Sequence, residues 1–495
     1  MKKLAAVFVS VGAILMTHAI AHAVDGDLDT TWGGTGVVVE AQSDPTSAFA
    51  VANYPDDRVL VIGNVYADPE TRMLLTRFLP DGSLDTSCNG TGEFIDTGNV
   101  ATASDVVVLD DGSFVVAGTM QINNLSTLFL AKFNSSCNID ISFGNFGVAT
   151  FSEFSGTSGQ ALALQDDGKI VVVGDEYPTI SDSSDQRILV ARFSSTGVLD
   201  TSFATGGRFI SSPNEKGSAA DVTIDSSGHI VFAGSIVGTI AADAAIVGRL
   251  TSSGQLDNSF GDLGYFINEL SGDPQLKSVA LRPNGHLVAV GSFIEPTPGA
   301  TKSILTLCLD NTGILDAECG STGWGYLGAS TIDAVATSVT VTADGFIIMG
   351  GTVFPVSTEP SHPFVMRLGP DLVPDISFAT SGIWNGSAIS GQIHSVAVQS
   401  DGRILAAGES DAQGIFSLTV FRLGNTVVTT SSTTTTTTTT TTASSTTLTI
   451  SPATSTTIAP NQLPATGGHG QGALFAVVIV GLGVLLLAAR RRVLH

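Results

Sequence analysis

The sequence predicts an all-β protein, a seven-bladed β-propeller built from seven four-strand repeats of about 57 residues each. One landmark is an aspartate in an LDxSFG-like stretch, which recurs at Asp29, Asp85, Asp140, Asp200, Asp257, Asp316 and Asp375. A second is an apolar run ending in glycine, at Gly63, Gly118, Gly174, Gly234, Gly291, Gly350 and Gly408. Two independent landmarks with one period indicate repeated blades.

Each unit reads as four short strands. In the unit that follows Asp200, strands are predicted at residues 208–211, 219–224, 229–233 and 244–250, bounded by Gly, Asn, Asp and Ser clusters. The third strand is apolar on both faces, as in Lys169-Ile-Val-Val-Val-Gly174. Such a strand must be covered on both sides. Neighbouring sheets in a radial stack provide both covers, which favours a closed ring over an open β-solenoid or a pair of smaller propellers.

The best copies read LDxSFGxxG and DGKIVVVG, and they resemble the bacterial delta-60 repeat family over about residues 25–425. The resemblance implies a propeller and a surface location, but no activity. The copies vary, because Phe203 is matched by Phe143, Phe260 and Phe378 but elsewhere by Trp32, Cys88 and Cys319. Depending on the blade register, the N-terminal strand is expected to complete the last blade and close the ring.

The N-terminal segment, residues 1–23, has the layout of a secretory signal peptide. Lys2 and Lys3 precede an apolar run, and Ala21-His22-Ala23 gives the small-x-small pattern that a signal peptidase accepts. We expect cleavage after Ala23, and the propeller would then occupy residues 24–425. An uncleaved membrane anchor is the alternative, although the apolar run is short for a span.

The C-terminal segment has three parts in a fixed order: a pentapeptide at residues 463–467, an apolar run at 473–489 and a basic tail at 490–495. Together they resemble a Gram-positive sorting signal of the LPxTG type. The apolar run predicts a transmembrane helix, and the arginines predict a cytoplasmic tail. The resemblance implies that a sortase cleaves after Thr466 and joins it to peptidoglycan. A permanent single-span membrane protein is the alternative. The recognition residues are Leu463, Pro464, Ala465, Thr466 and Gly467.

A stalk is predicted between propeller and anchor, at residues 426–462, where ten consecutive threonines run from Thr433 to Thr442. Most of this Thr/Ser/Pro-rich segment is too polar to form a core, so we expect an extended or disordered spacer.

The chain is strongly acidic. It has 21 basic and 45 acidic residues, and loss of the two ends would remove five of the basic ones, leaving a formal charge of about −29. Such a surface repels nucleic acid and anionic lipid, so cationic, neutral or metal-bridged partners are expected. The membrane is expected to be met only through the C-terminal segment, before sorting.

Four cysteines in an exported chain permit two disulfides in any of three connectivities. Cys308 and Cys319 are close enough in sequence to staple one turn, and Cys88 with Cys137 is the remaining pair.

No catalytic residue and no metal site is predicted. The acid pairs at Asp56-Asp57, Asp110-Asp111 and Asp166-Asp167 precede the third strand, where hairpin turns favour Asp and Gly. Asp25-Gly26-Asp27-Leu28-Asp29 superficially resembles a calcium loop, but it lacks the sixth-position glycine and the distal glutamate of an EF-hand. No cofactor is expected, and calcium stays the open alternative. His229 and His286 share one repeat position, at a solvated turn.

The repeated turns and corners should share one face of the disc, which leaves the irregular loops on the other. We expect a binding surface there, suited to an extracellular glycan or protein, and the function of an adhesin or recognition module. The alternative is a surface enzyme: a polysaccharide lyase, a hydrolase or a quinoprotein-like catalyst. The candidate loop residues are Tyr66, Asp68, Glu70, Asp175, Glu176, Tyr177, Phe293, Glu295, Phe354, Glu359 and His362.

Overall fold

The computed structural model describes residues 25–424 apart from short gaps, together with the backbone of residues 475–480 and 483–488. The gaps are residues 68–69, 97, 153–155, 179–184, 213–214, 238–242, 269–271, 295–300, 321, 328–331, 356–358 and 412–413. The chain divides into two compact units, residues 1–426 and residues 427–495. The signal peptide, the stalk, the sorting motif and the basic tail that the sequence predicts lie outside the described residues.

The larger unit consists of seven antiparallel sheets of four strands each, which we number as blades 1 to 7. Blade 1 contains β2 (Thr46–Asn53), β3 (Val59–Ala67), β4 (Glu70–Phe78) and β5 (Glu93–Ile95). Blade 2 contains β6 (Ala101–Val108), β7 (Phe114–Ile122), β8 (Leu125–Phe133) and β9 (Val148–Phe151). Blade 3 contains β10 (Thr157–Leu164), β11 (Ile170–Glu176), β12 (Arg187–Phe193) and β13 (Arg208–Ile210). Blade 4 contains β14 (Gly217–Ile224), β15 (Ile230–Val237), β16 (Asp243–Leu250) and β17 (Tyr265–Asn268). Blade 5 contains β18 (Gln275–Leu281), β19 (Leu287–Ile294), β20 (Lys302–Leu309) and β21 (Trp324–Leu327). Blade 6 contains β22 (Ile332–Val341), β23 (Ile347–Pro355), β24 (His362–Leu368) and β25 (Ile383–Asn385). Blade 7 contains β26 (Gly391–Val398), β27 (Ile404–Asp411), β28 (Phe416–Leu423) and β1 (Val37–Glu40).

The blades form a closed ring. The first strand of each sheet contacts the first strand of the next, and β26 of blade 7 contacts β2 of blade 1. These innermost strands therefore surround a central axis, as in a propeller. The predicted seven-bladed propeller is confirmed, and neither an open solenoid nor two smaller rings fits this order of contacts.

The ring closes by strand exchange between the two ends of the propeller. β1 is the outermost strand of blade 7 and pairs with β28, with Val37 opposite Phe421. The N-terminal strand thus completes the last blade, as the sequence allowed. The same offset applies throughout: the strand that opens each sequence repeat is the outermost strand of the preceding blade, as β13 is in blade 3.

The apolar second strands of the blades pack on both sides. In β11, Val171 and Val173 belong to the core between blades 3 and 4, whereas Ile170 and Val172 belong to the core between blades 2 and 3. The four side chains are at most 2% exposed. The two-sided cover that the sequence predicted is therefore present.

The glycine that ends each apolar run lies against the innermost strand. A Cβ on Gly174 would stand 2.1 Å from the carbonyl oxygen of Ser158, so no side chain fits. In blade 6, the equivalent residue is Gly351, opposite Ala336. The sequence landmark placed there, Gly350, is one residue early, because two glycines are adjacent.

The described backbone of the second unit is a two-stranded antiparallel hairpin, Phe475–Val480 with Gly483–Ala488. The predicted transmembrane helix is therefore not the observed secondary structure. The run Val477-Val-Ile-Val480 is β-branched, which favours strands.

Candidate functional site

The connections between strands divide the ring into two faces. Turns between first and second strands, and corners between third and fourth strands, lie on one face, which we call the motif face. Loops between second and third strands, and the connections between blades, lie on the opposite face, the variable face. This alternation follows from antiparallel order. The motif face carries the repeated Asp-Gly turns and LDxSFG corners, as the sequence predicted.

The LDxSFG corner fastens one blade to the next. The carboxylate of Asp200 accepts a bond from the Ser202 amide (3.1 Å) and pairs with Arg192 Nη2 (2.9 Å). The Arg192 guanidinium lies 4.6 Å from the ring centre of Phe203, which is fully buried, and donates to the carbonyl of Ser252 in blade 4. The Ser202 hydroxyl and the Arg192 charge lower the pKa of Asp200. Asp200 is therefore a turn and ion-pair residue.

The same ion pair recurs in the blades other than blade 5, with the cation eight residues before the aspartate or, at the closure, on the neighbouring strand. The pairs are Arg77–Asp85, Lys132–Asp140, Arg192–Asp200, Arg249–Asp257, Arg367–Asp375 and Arg422–Asp29. The sequence interpretation missed these cations, although the constant spacing was a readable signal. The motif thus has a structural role in every blade, where it joins neighbouring blades, and it is not a ligand site repeated seven times.

One disulfide replaces an aromatic contact between blades. Cys88 occupies the position of Phe203, and Cys137 occupies the turn position where the other copies carry residues such as Gly197. A Cβ on Gly197 would meet the ring of Phe143, so this turn normally packs on the preceding corner. The bond between Cys88 and Cys137 joins blades 1 and 2 at that contact.

The other disulfide lies within blade 5. Cys308 and Cys319 take the positions that hold arginine and phenylalanine in other blades, and they replace that stacked pair. Arg282 then supplies the cation, with Nη1 3.0 Å from the Asp316 carboxylate. Both predicted disulfides are confirmed.

The predicted loop residues are divided between the surface and the interior. Tyr66 and Phe354 are 43% and 37% exposed, and Glu70 and Glu359 are exposed as well. Three others are buried within strands, at 3% (Asp175), 1% (Glu176) and 7% (Phe293), so their predicted location in exposed loops is wrong. Tyr177 and His362 are half-buried. Asp68 and Glu295 lie outside the described residues.

Asp175 is engaged between blades. Its Oδ1 accepts bonds from the hydroxyls of Ser158 (2.6 Å) and Ser218 (3.1 Å), which lie on the innermost strands of blades 3 and 4. Burial and the Asp175 charge raise the pKa of Tyr177 to about 12. Asp175 follows the repeat glycine, a position that is polar in every blade, and it serves blade packing rather than an open site.

The junction of blades 7 and 1 contains a polar cluster around Glu409, which follows its repeat glycine as Asp175 does in blade 3. His394 Nε2 lies 2.9 Å from Glu409 Oε2, which also accepts a bond from the Ser47 hydroxyl. The imidazole stacks on Phe49, with 5.1 Å between ring centres. Burial and the Glu409 charge raise the pKa of Tyr66. Serine and histidine both bond the carboxylate, so this is not the chain of bonds that activates a serine nucleophile.

Every innermost strand carries a β-bulge at the same position. The bulged residues are Phe49, Ser104, Gln160, Ala220, Lys277, Thr337 and His394. In blades 2 and 4 the next residue is an aspartate that accepts an amide of the following blade: Asp105 from Leu162 (2.9 Å) and Asp221 from Val279 (2.8 Å). Burial raises the pKa of Asp105 to about 7 and that of Asp221 to about 6. Both carboxylates are used in joining blades.

A groove of about 380 Å³ opens on the variable face at blade 6. Phe354 is the exposed aromatic side chain of its wall. Thr352 is 1% exposed, and its Oγ1 has no hydrogen-bond partner in the described part of the chain. The groove is lined by Lys302, Asp333, Val335, Thr337, Thr352, Phe354 and Gln392. Most of these residues were not anticipated, because they come from three blades.

In the described residues, no three His, Cys, Asp or Glu side chains are grouped so as to hold a metal ion. Asp25 and Asp29, from the segment that resembles a calcium loop, pair with Arg367 (2.6 Å) and Arg422 (2.9 Å). Within the same residues, no helix has the length and hydrophobicity of a membrane span.

A match to a family model supports the fold. Residues 55–87 and 165–203 match the family model for a domain of unknown function (DUF5122), described as a beta-propeller. No curated protein matches the chain. Sqt1 from Chaetomium thermophilum is 13% identical with a TM-score of 0.39, covering 77% of this chain and 97% of that one.

Enzymes are among the similar solved structures. The polysaccharide lyase Uly1 is 10% identical with a TM-score of 0.45, and the alpha-L-arabinanase of Penicillium chrysogenum, complexed with arabinobiose, is 11% identical with a TM-score of 0.38. Each match covers 81% of this chain and 97% of the other. At such low identity and TM-score, these similarities say nothing about an activity of this chain.

Proposed function

We propose that this protein is a recognition module of the Gram-positive cell surface, an adhesin that binds an extracellular glycan or protein through the variable face of its propeller. The blade 6 groove carries the proposal. It combines an exposed aromatic ring, Phe354, with a buried hydroxyl that has no partner in the described residues, Thr352. Binding sites join apolar area to a few placed polar groups in this way.

Binding is favoured over catalysis by what the ionisable groups already do. Asp105, Asp175 and Asp221 each bond to a neighbouring blade, and Glu409 bonds to Ser47 of blade 1. A catalytic acid or base needs free access to substrate. A surface enzyme, such as a polysaccharide lyase, a hydrolase or a quinoprotein-like catalyst, is the competing function, and the experiment below separates the two.

Export and anchoring are part of the proposal. The signal-peptide pattern of residues 1–23 and the LPxTG-like motif of residues 463–467 support it, with a sortase and peptidoglycan as partners. The two disulfides also suit an oxidising location. The threonine-rich stalk would hold the propeller away from the wall.

The binding experiment uses residues 24–425, which contain the whole closed ring. The protein is applied to glycan and protein arrays with and without calcium, and cell-wall polymers are assayed for cleavage. We expect ligand binding that Phe354→Ala weakens at least about tenfold, the loss of roughly 1.4 kcal/mol. Ile376→Ala is the control, since Ile376 is 82% exposed on the motif face. Polymer cleavage, or no binding at all, would overturn the proposal.

Anchoring is tested in cells by Thr466→Ala. We expect the wild-type protein to remain in the sodium dodecyl sulfate-insoluble wall fraction and the variant to leave it, because the scissile residue no longer suits the sortase. Thr457→Ala in the stalk is the matched control. Covalent attachment of the Thr466→Ala variant would contradict the anchoring proposal.

A further inference from the structure

The cations of the propeller are almost all engaged in ion pairs. Between residues 25 and 424, fourteen lysine and arginine side chains have a carboxylate partner. Lys277 and Lys302 are the two that form no ion pair within the described part of the chain. In a protein with 45 acidic residues and 21 basic ones, two cations without a counter-ion are unusual.

Both lysines belong to blade 5, next to blade 6. Lys302 begins β20 on the variable face and lines the blade 6 groove. Lys277 is the bulged residue of the neighbouring innermost strand, at the position that Thr337 holds in blade 6. Both side chains reach solvent, although protein atoms closely surround that of Lys277.

The positive charges of the two lysines act on each other. Burial, and then the positive charge of Lys302, lower the pKa of Lys277, which Asp273 partly opposes from beyond ion-pair distance. Asp333 Oδ1 accepts a bond from the Lys302 backbone amide (2.6 Å) but not from its ammonium group. Two ammonium groups that repel each other favour a bound anion between them.

We propose that the blade 6 groove binds an acidic oligosaccharide, with a sugar carboxylate or sulfate held by Lys277 and Lys302 and a sugar ring placed against Phe354. The inference rests on the proposed function of the variable face and names the ligand class for it. An exposed aromatic ring covers the apolar face of a pyranose. The Thr352 hydroxyl, the Gln392 amide and the Asp333 carboxylate lie in the same groove, where they can bond sugar hydroxyls.

The local charge at this groove differs from the strongly acidic net charge of the molecule, because Lys302 balances Asp333 among the residues that line it. The sequence led us to expect cationic, neutral or metal-bridged partners, because the whole chain is acidic. At physiological ionic strength, exposed charges are screened over about 8 Å, so a ligand in the groove responds mainly to the groups that line it. A paired lysine site can therefore hold an anion on an acidic protein.

The test uses residues 24–425 and an array of uronate, sialylated and sulfated oligosaccharides, each beside its uncharged counterpart, with poly-glutamate as the peptide probe. We expect an acidic glycan to bind more tightly than its uncharged counterpart, and its affinity to fall about ten- to hundredfold in the double variant Lys277→Gln/Lys302→Gln. That range corresponds to the loss of charge-assisted hydrogen bonds. Lys216→Gln removes a charge from the same face, but from a lysine paired with Asp185, and should leave binding unchanged.

The outcomes separate this inference from the proposed function. Binding of a glycan or protein that the lysine substitutions leave unchanged would refute the anionic groove and keep the recognition role. Tighter binding of the uncharged glycan, or of poly-glutamate, would also refute it. If the array shows no ligand of any kind, both fail. Circular dichroism and thermal melts of each variant establish that the ring is intact.

Discussion

At each corner of the ring, one cation is held between a carboxylate and, in most blades, an aromatic ring. Arg192 is an example, since it touches Asp200, Phe203 and the backbone of the next blade at once. A guanidinium suits this position because it is planar, permanently charged and able to donate several bonds in fixed directions. The side chain thus links two blades where a purely apolar contact would leave the aspartate unpaired.

Arg192→Met should destabilise the propeller by about 3 kcal/mol, because it leaves Asp200 without its cation in a poorly hydrated corner. The free energy of unfolding is measured by urea denaturation. Arg72→Met is the matched control, since its pair with Glu70 is solvent-exposed and should contribute less than about 1 kcal/mol. Equal effects of the two substitutions would show that the corner pair is not special.

Asp105 should make stability depend on pH in a defined direction. Burial raises its pKa from 3.8 to about 7, so the folded state binds the proton more tightly than the unfolded chain does. The stability that it contributes is therefore present below about pH 4 and is lost as pH rises through about 7. Asp105→Asn should flatten the decline of unfolding free energy between these values.

Asp85→Asn is the opposing control for this pH series. Ser87, Arg77 and Arg58 lower the pKa of Asp85 despite its burial, so its contribution is lost as pH falls. Its removal should lower the free energy of unfolding at neutral pH, reduce the further loss of stability on the acid side, and leave the slope between pH 4 and pH 7 unchanged. A wild-type curve that does not fall between pH 4 and pH 7 more steeply than the Asp105→Asn curve would contradict the assignment.

The four-strand blade is one element used seven times with local substitutions. Its bulge, its polar residue after the glycine and its corner recur because each solves the same packing problem between neighbours. The cysteines show that the contact between blades tolerates substitution of its residues. Cys88 and Cys137 take the places of an aromatic ring and of the turn residue beneath it, and the covalent bond takes over their contact.

The double variant Cys88→Ser/Cys137→Ser should lose about 2 to 4 kcal/mol of stability, since a loop of 49 residues is no longer closed in the unfolded state. Cys88→Phe/Cys137→Gly restores the residues of the other blades and should recover part of that loss. Glycine also suits Cys137, whose φ is 60°. Thermal unfolding with and without reductant measures both. A Phe/Gly variant no more stable than the Ser/Ser variant would contradict the proposed equivalence.

Most of this element was readable from sequence. The turns at Asp110-Asp111 and Asp166-Asp167, the two-sided strand Ile170–Glu176 and the buried Phe203 follow from local pattern and are present in the structure. Three of the predicted loop residues were not readable in this way. Asp175, Glu176 and Phe293 follow the repeat glycines, where irregular sequence suggested loops, yet their strands continue and are covered by the next blade.

At the scale of the molecule, one strand holds the ring closed. β1 pairs with β28, Asp29 binds Arg422 (2.9 Å) and Trp32 is fully buried beneath that arginine. Residues almost 400 positions apart are thereby joined. The closure gives blade 7 its fourth strand and covers the edge of β28, which would otherwise be unpaired.

Deletion of residues 24–40 should open the ring. The remaining protein, residues 41–425, lacks the fourth strand of blade 7 and the Trp32 contact, so we expect a lower thermal midpoint, loss of a single cooperative transition and self-association through the exposed edge of β28. Differential scanning calorimetry and light scattering against residues 24–425 measure these changes. A monomer with an unchanged midpoint would show that the strand exchange is dispensable.

The sequence alone determined the repeat, the number of blades, the strand pattern and the corner motif, because each depends on residues that are close along the chain. The tertiary structure decided which strand belongs to which blade, which polar residues are buried and which side chains share a groove. Those properties depend on residues from different blades. Lys302, Phe354 and Gln392 illustrate the difference: they are unremarkable in sequence, and only the packing of blades 5, 6 and 7 side by side places them in one groove.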